Sequence, residues 1–300
     1  MFALVALLLV VQVVIPLAMA WRLLRLNAPS LAAALATAAE ATALSAFVIT
    51  VGRWDIAGLH TRTAVTGLLG LALAVSLIRH ARRPLLPGGA AALWRGWRTT
   101  LVSAFAFAVA LGYLATGFVP PQPPRDLAFP LKGGRFVVAQ GGAGGLLNRH
   151  AGHAEQRYAV DITAVGPKGF RAAGLLPADH GAYRVFGTPV LAPCAGTVET
   201  AWGDLPDLPP PTADRAAPAG NHVVLRCGDL DVEVAHLAMG SVSVVPGAGV
   251  EVGDLLGRVG NSGNTTEPHL HVHATLAATN TGVPVSFDGR FPVRGQIYVQ

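Results

Sequence analysis

Two hydrophobic patterns divide this chain of 300 residues. Up to about residue 120 the apolar positions run together in long uncharged blocks, whereas beyond it they alternate with polar ones in short Val-rich runs. Residues 1–20 carry no charge before Trp21 and Arg22, enough as a helix to cross a hydrocarbon core of about 30 Å. Ala18-Met19-Ala20 has the form of a signal-peptide cleavage site, but no basic segment precedes it and the apolar stretch is too long, so the segment reads as a first span. Further spans are predicted at 30–52, broken only by Glu40, at 63–79, short for a crossing, and at 99–120. The expectation for 1–118 is thus a transmembrane bundle of about four helices.

The run PPQPPRD after residue 118 cannot continue a helix and reads as an extended spacer, a linker over 119–132. From 133 to 300 the segments RFVVAQ, RYAVDI, TPVLAP, GTVETAW, HVVLRC, LDVEVAHL, VSVV and LLGRVG alternate with period two between turn residues. That pattern predicts an all-β, mainly antiparallel sheet domain. Residues 166–183 and the proline-rich 204–220 do not fit strands, and long loops on such a scaffold commonly line a binding groove.

Charge sharpens the division. Residues 1–118 hold nine Arg against Glu40 and Asp55, and residues 119–300 hold 13 basic and 15 acidic side chains. The basic excess therefore belongs to the apolar half and gives no support to nucleic-acid binding. Arg22, Arg25, Arg79, Arg82, Arg83, Arg95 and Arg98 follow the first and third spans, against Arg53 and Arg62 after the second. By the positive-inside rule the first and third loops are cytoplasmic, which places the second half outside the cytoplasmic membrane. Glu40, costly against lipid, is expected to face the bundle, protonated or paired, a structural role preferred to a transport or sensing one.

Eight of the ten His residues lie in the second half. In PHLHVH, His269, His271 and His273 alternate with Leu270 and Val272, so on a strand the three imidazoles share one face, a possible metal platform. In LDVEVAHL the same alternation puts Val232, Val234 and His236 together, leaving His236 in need of a partner on an apolar face. Asp161 shares a face with Ala159 and Arg157, and an ion pair with Arg157 is the structural alternative to a metal role. One carboxylate with two neutral imidazoles satisfies zinc and leaves a fourth tetrahedral position open.

At these residues the chain resembles a known family. The runs FGTPVLAPCAGTV, GNHVVLRC, VAHL and VEVGDLLGRVGNSGNTTEPHLHVH, in this order within about 133–290, are similar to the M23 (lysostaphin or LytM type) zinc metallopeptidases of bacterial cell walls. The membrane half lies outside the resemblance. It implies one bound zinc, with Asp161 in the place of the metal carboxylate and His271 in that of a metal imidazole. His269 and His236 fall in the places of two unligated catalytic histidines. Four residues before Asp161, where the family's usual first ligand stands, this chain has Arg157. The segment NRHAGHAEQRYAVD resembles a variant with that His further upstream, which leaves His150 or His153, and Asn-x-His favours His150. His180, His222 and His273 have no counterpart and are taken as surface or supporting residues.

The activity so implied is hydrolysis of peptide cross-links of peptidoglycan, with zinc as the Lewis acid and the unligated imidazoles moving protons. Cys194 and Cys227 could form a disulfide, stay as buried thiols or ligate zinc; an exterior domain favours the first, and the lack of a CxxC pair disfavours the last. The alternatives from other classes are a non-catalytic relative that binds and activates other wall hydrolases, and a transporter or sensor with the β domain as its wall-binding part.

Overall fold

The computed structural model describes residues 2–86 and 90–300. They divide into two units, Ala3–Ala115 and Thr116–Gln300.

The first unit contains α1 (Phe2–Arg25), α2 (Leu31–Val51), α3 (Trp54–Ala57), α4 (Leu59–His80) and most of α5 (Ala90–Thr116). Four segments, Val5–Arg25, Leu31–Val51, Leu59–His80 and Arg98–Thr116, are long and apolar enough to cross a membrane. The third is a corrected boundary, since α4 starts at Leu59 and takes in His60 and Arg62. Long cationic side chains near a helix end can carry their charge back towards water, so hydropathy alone shortens such a helix. The fourth helix ends at Thr116 rather than at 120, since Pro120 has no N–H to donate and disfavours helix at the residue before it. The side chain of Arg95 lies outside the described residues.

Small side chains make the α2 contacts: Ala20 and Leu23 of α1, Ala38 and Ala41 of α2, and Leu69 and Ala72 of α4 form one buried cluster. Small residues let helix backbones approach closely where lipid offers no hydrophobic drive. Ser30 caps α2, its hydroxyl accepting from Ala33 N. Glu40 is paired, its Oε2 lying 2.5 Å from Arg22 Nη1.

The second unit is a β structure: β1 (Arg125–Leu127), β2 (Arg135–Gln140), β3 (Val160–Ala164), β4 (Pro189–Leu191), β5 (Gly196–Trp202), β6 (Asn221–Cys227), β7 (Leu230–Leu237), β8 (Gly249–Val250), β9 (Leu255–Arg258), β10 (Leu270–Leu276), β11 (Thr281–Val283), β12 (Val285–Phe287) and β13 (Ile297–Val299). Nine of them form a sheet in the order β13-β2-β3-β10-β7-β6-β5-β8, with β11 also on β10. The neighbours pair antiparallel. β4 pairs with β9, and β1 pairs parallel with β12. The alternation works as expected on most strands: Val160, Ile162, Val232, Val234, Leu270 and Val272 enter one core. Each such side chain contributes roughly 1.5–3 kcal/mol by leaving water.

The expected linker over 119–132 needs correction. Only its proline-rich start is spacer, since β1 pairs with β12 and Leu127, Phe129 and Leu131 are core residues. Phe129 stacks on Tyr298 with ring centroids 4.6 Å apart. The alternating Leu127, Phe129 and Leu131 carry a strand-like apolar face that the prolines upstream obscure.

Candidate metal centre

The register of β10 builds the site. β10 lies between β3 and β7, with His271 directly opposite Asp161 on one side and Ala235 on the other. Because strand residues directly opposite share a face, this register alone brings the imidazole and the carboxylate together. His271 Nδ1 lies 2.9 Å from Asp161 Oδ1.

The third member comes from outside the sheet. Asn148 precedes a single 3-10 turn at Arg149–Gly152 and caps it, its side-chain oxygen accepting from His150 N. The Asn148 amide also donates to the carbonyls of Gly142 and Ala159, at 3.0 Å each, and so ties the turn to the residue preceding β3. Gln140 accepts from Arg149 N. Held in this way, His150 Nε2 lies 3.1 Å from both Asp161 oxygens. The ligating atoms of His150, Asp161 and His271 all fall within 4.8 Å of one another. His153 lines the same cleft but is not in that group; its backbone N–H donates to the His150 carbonyl. Arg157 does not take the ion pair with Asp161; Arg149 Nη2 does, at 3.4 Å.

His236 overturns the simple alternation. Between β6 and β7 the register shifts, pairing Asn221 with Leu237 and His222 with Ala235, so His236 is an extra residue on its strand. It has φ 63°, a left-handed conformation worth about 1–3 kcal/mol of strain in a non-glycine residue. Its N–H donates to Ala219 O and its carbonyl accepts from Gly260 N, so the groups lost from the ladder are satisfied elsewhere. The bulge turns the imidazole away from the face of Val232 and Val234 and into the cleft. Period-two reasoning misses this because one inserted residue reverses the face.

Both His236 and His269 hold Nδ1 against a carbonyl. His236 Nδ1 donates to Ser262 O at 2.9 Å and His269 Nδ1 to Glu267 O at 2.8 Å. Each therefore turns Nε2 inward, and the two rings stand 4.8 Å apart. The acceptors lie on the GNSGNTTEP turn, which Thr265 braces through Asn261 and the buried Arg171 braces through its ion pair with Glu267. None of Ser262, Thr265, Arg171 or Glu267 carries a signal in the sequence that marks it as a support.

Burial works against the Asp161 carboxylate, but the imidazoles of His269 and His150 more than offset it and hold its pKa well below the usual carboxylate range. Burial, reinforced by His269 and His271, pushes His236 well below its ordinary value and keeps it neutral at physiological pH. Burial likewise pushes His273 down to about 4, so the expectation of a surface residue does not hold. His222 and His180 engage the carbonyls of Gly220 and Leu208 respectively.

Above these groups lies a cleft of about 820 Å³, walled by Arg149 and His153 on the 3-10 turn side and by Arg215, Pro218 and Ala219 of the 204–220 loop. The residues present fit a zinc ion on two grounds. Two imidazoles and a carboxylate are a zinc donor set. Nε2 of His269 is buried with no hydrogen-bond partner and lies 3.5 Å from Asp161 Oδ1, a polar atom facing the place where a ligand would sit.

Comparison with known proteins gives one family. Residues 182–284 match the model of peptidase family M23. The matched stretch contains His236, His269 and His271 but neither His150 nor Asp161. Among solved structures, the chain is similar to the catalytic domain of lysostaphin from Staphylococcus simulans, at 24% identity over 34% of this chain and 75% of that one, with a TM-score of 0.26. A zinc-containing peptidase from Vibrio cholerae shares 18% identity over 42% and 48%, with a TM-score of 0.26. Csd3 from Helicobacter pylori shares 18% over 51% and 32%, with a TM-score of 0.29. The chain thus spans less than half the length of the last two. No curated protein matches it.

Proposed function

We propose, for a chain whose residues 182–284 carry a domain of peptidase family M23, that it is a membrane-anchored zinc endopeptidase cutting peptide cross-links of peptidoglycan outside the cytoplasmic membrane. One observation carries the reading: three donor groups of zinc-binding type converge beside the imidazoles of His236 and His269, whose Nε2 atoms face inward, at the floor of an open cleft. His150, Asp161 and His271 would hold the ion. Zinc, when bound, supplies the Lewis acidity that makes water a nucleophile near neutral pH. One of His236 and His269 takes the proton of the attacking water at Nε2 and returns it to the leaving amine, and the Nδ1–H bonds of the two rings to Ser262 and Glu267 fix the tautomer that this requires. The cleft holds the peptide in an extended form between the 3-10 turn and the 204–220 loop.

The test is metal analysis of the purified full chain in detergent, with peptidoglycan digestion followed by release of soluble fragments. One zinc per chain with release of cross-linked peptides that disappears on chelation supports the enzyme. A chain that takes up no zinc on reconstitution, or binds zinc and wall but cleaves nothing, replaces it with a wall-binding regulator.

A further inference from the structure

We propose that His273 is a positioning residue for the metal site, holding His271 in the tautomer that presents Nδ1 inward. The inference rests on the zinc reading above and deepens it. His271 faces Asp161 with Nδ1, so that nitrogen must keep its lone pair to ligate, and the ring proton must sit on Nε2. A buried N–H needs an acceptor. His273 supplies one, its Nδ1 lying 3.2 Å from His271 Nε2. The two rings, side by side on one face of β10 with centroids 5.3 Å apart, form a short chain of imidazoles. Glu233, directly opposite His273 across the β7–β10 pair, has its Oε1 4.0 Å from the same Nδ1, beyond hydrogen-bond reach, which leaves that lone pair to His271. Asp161, His271 and His273 are thus joined through the two ring nitrogens of His271.

Supports of this kind set metal affinity, and their loss typically costs about 10–100-fold. Zinc affinity of the full chain in detergent, measured by competition with a chelating dye, reads the effect without recourse to turnover. His273→Leu keeps an apolar side chain of comparable bulk and removes the acceptor; it should weaken zinc about 10–100-fold. His273→Asn, whose side-chain oxygen can stand in the place of Nδ1, should recover most of that loss. Thermal melting of the metal-free variants separates affinity from folding, and if His273→Leu does not fold, His273→Ala, which also removes the acceptor, takes its place. Wild-type zinc affinity in His273→Leu, or equal loss in the Leu and Asn variants, overturns the positioning role and leaves the peptidase reading intact. Failure of the wild-type chain itself to bind zinc overturns both.

Discussion

His269 and His271 sit two residues apart on one run yet present different nitrogens to the site: His271 turns Nδ1 to Asp161, whereas His269 spends Nδ1 on the Glu267 carbonyl and turns Nε2 inward. On the zinc-peptidase reading, that difference separates holding a metal from moving a proton. His271→Ala and Asp161→Ala should therefore lose zinc and activity together, in metal analysis and digestion assays on the same preparations. His236→Ala and His269→Ala should retain zinc and lose turnover by about 10²–10⁴-fold. Of the upstream pair, His150→Ala should behave like His271→Ala, and His153→Ala should keep stoichiometric zinc. Zinc retained in His150→Ala at wild-type affinity would remove it from the ligand set. The pattern of residue types was legible in the sequence for Asp161, His269 and His271, since alternation alone puts the last two on one face. For His236 alternation pointed to the core face and only the resemblance placed it at the site, since its orientation depends on a bulge; Ser262, Thr265 and Arg171 act through hydrogen bonds that no spacing announces.

Elements carry the next level of constraint. The β6–β7 hairpin joins two devices at opposite ends, the bulge at His236 and the disulfide between Cys194 and Cys227. Cys227 ends β6 and Asn221, which accepts from and donates to the segment around Leu205 and bonds Ser262, begins it. Seven residues of strand put them about 20 Å apart. The disulfide thus closes the strand end remote from the imidazoles, with a sequence separation of 33. The loop-entropy model gives about 3–4 kcal/mol for such a link. Reduction, or Cys194→Ser, should lower the melting temperature of the chain while zinc stays bound and activity below the melting range is kept. Zinc loss from a folded Cys→Ser variant would instead implicate a thiolate. The sequence left three fates open for these cysteines, and only the pairing of β5 with β6 brings their sulfurs together.

At the scale of the whole molecule the chain joins an apolar helical unit to a polar β unit. Many large apolar side chains on the helices point outward, Leu8, Leu71, Ile78 and Phe105 among them, as lipid-facing surfaces require. Arg79 donates to the carbonyls of Leu23, Leu24 and Leu26, and so satisfies the otherwise unpaired end of α1. By the positive-inside rule the arginines after the first and third helices predict cytoplasmic loops there and a β unit on the far side of the membrane, an expectation that a reporter fusion tests. Fusion of an exported reporter after Pro124 should be active and a cytoplasmic reporter at the same point silent. The reverse pattern would separate the β unit from its proposed substrate.

Composition and period settled what kind of elements form: apolar blocks of about 20 residues read as helices long enough to cross a membrane, and period-two runs between turn residues read as strands. Those are local properties, because burying one face of one element depends on the spacing of its own side chains. The site is not local. Asp161 meets His271 through strand register, His150 reaches them through the Asn148 cap, and His236 faces them through one inserted residue and a left-handed backbone. Each of these relations joins segments between 11 and 110 residues apart, and the free energy that fixes them is the packing and hydrogen bonding of the assembled sheet. Tertiary structure alone therefore decided which nitrogen of each histidine faces the centre.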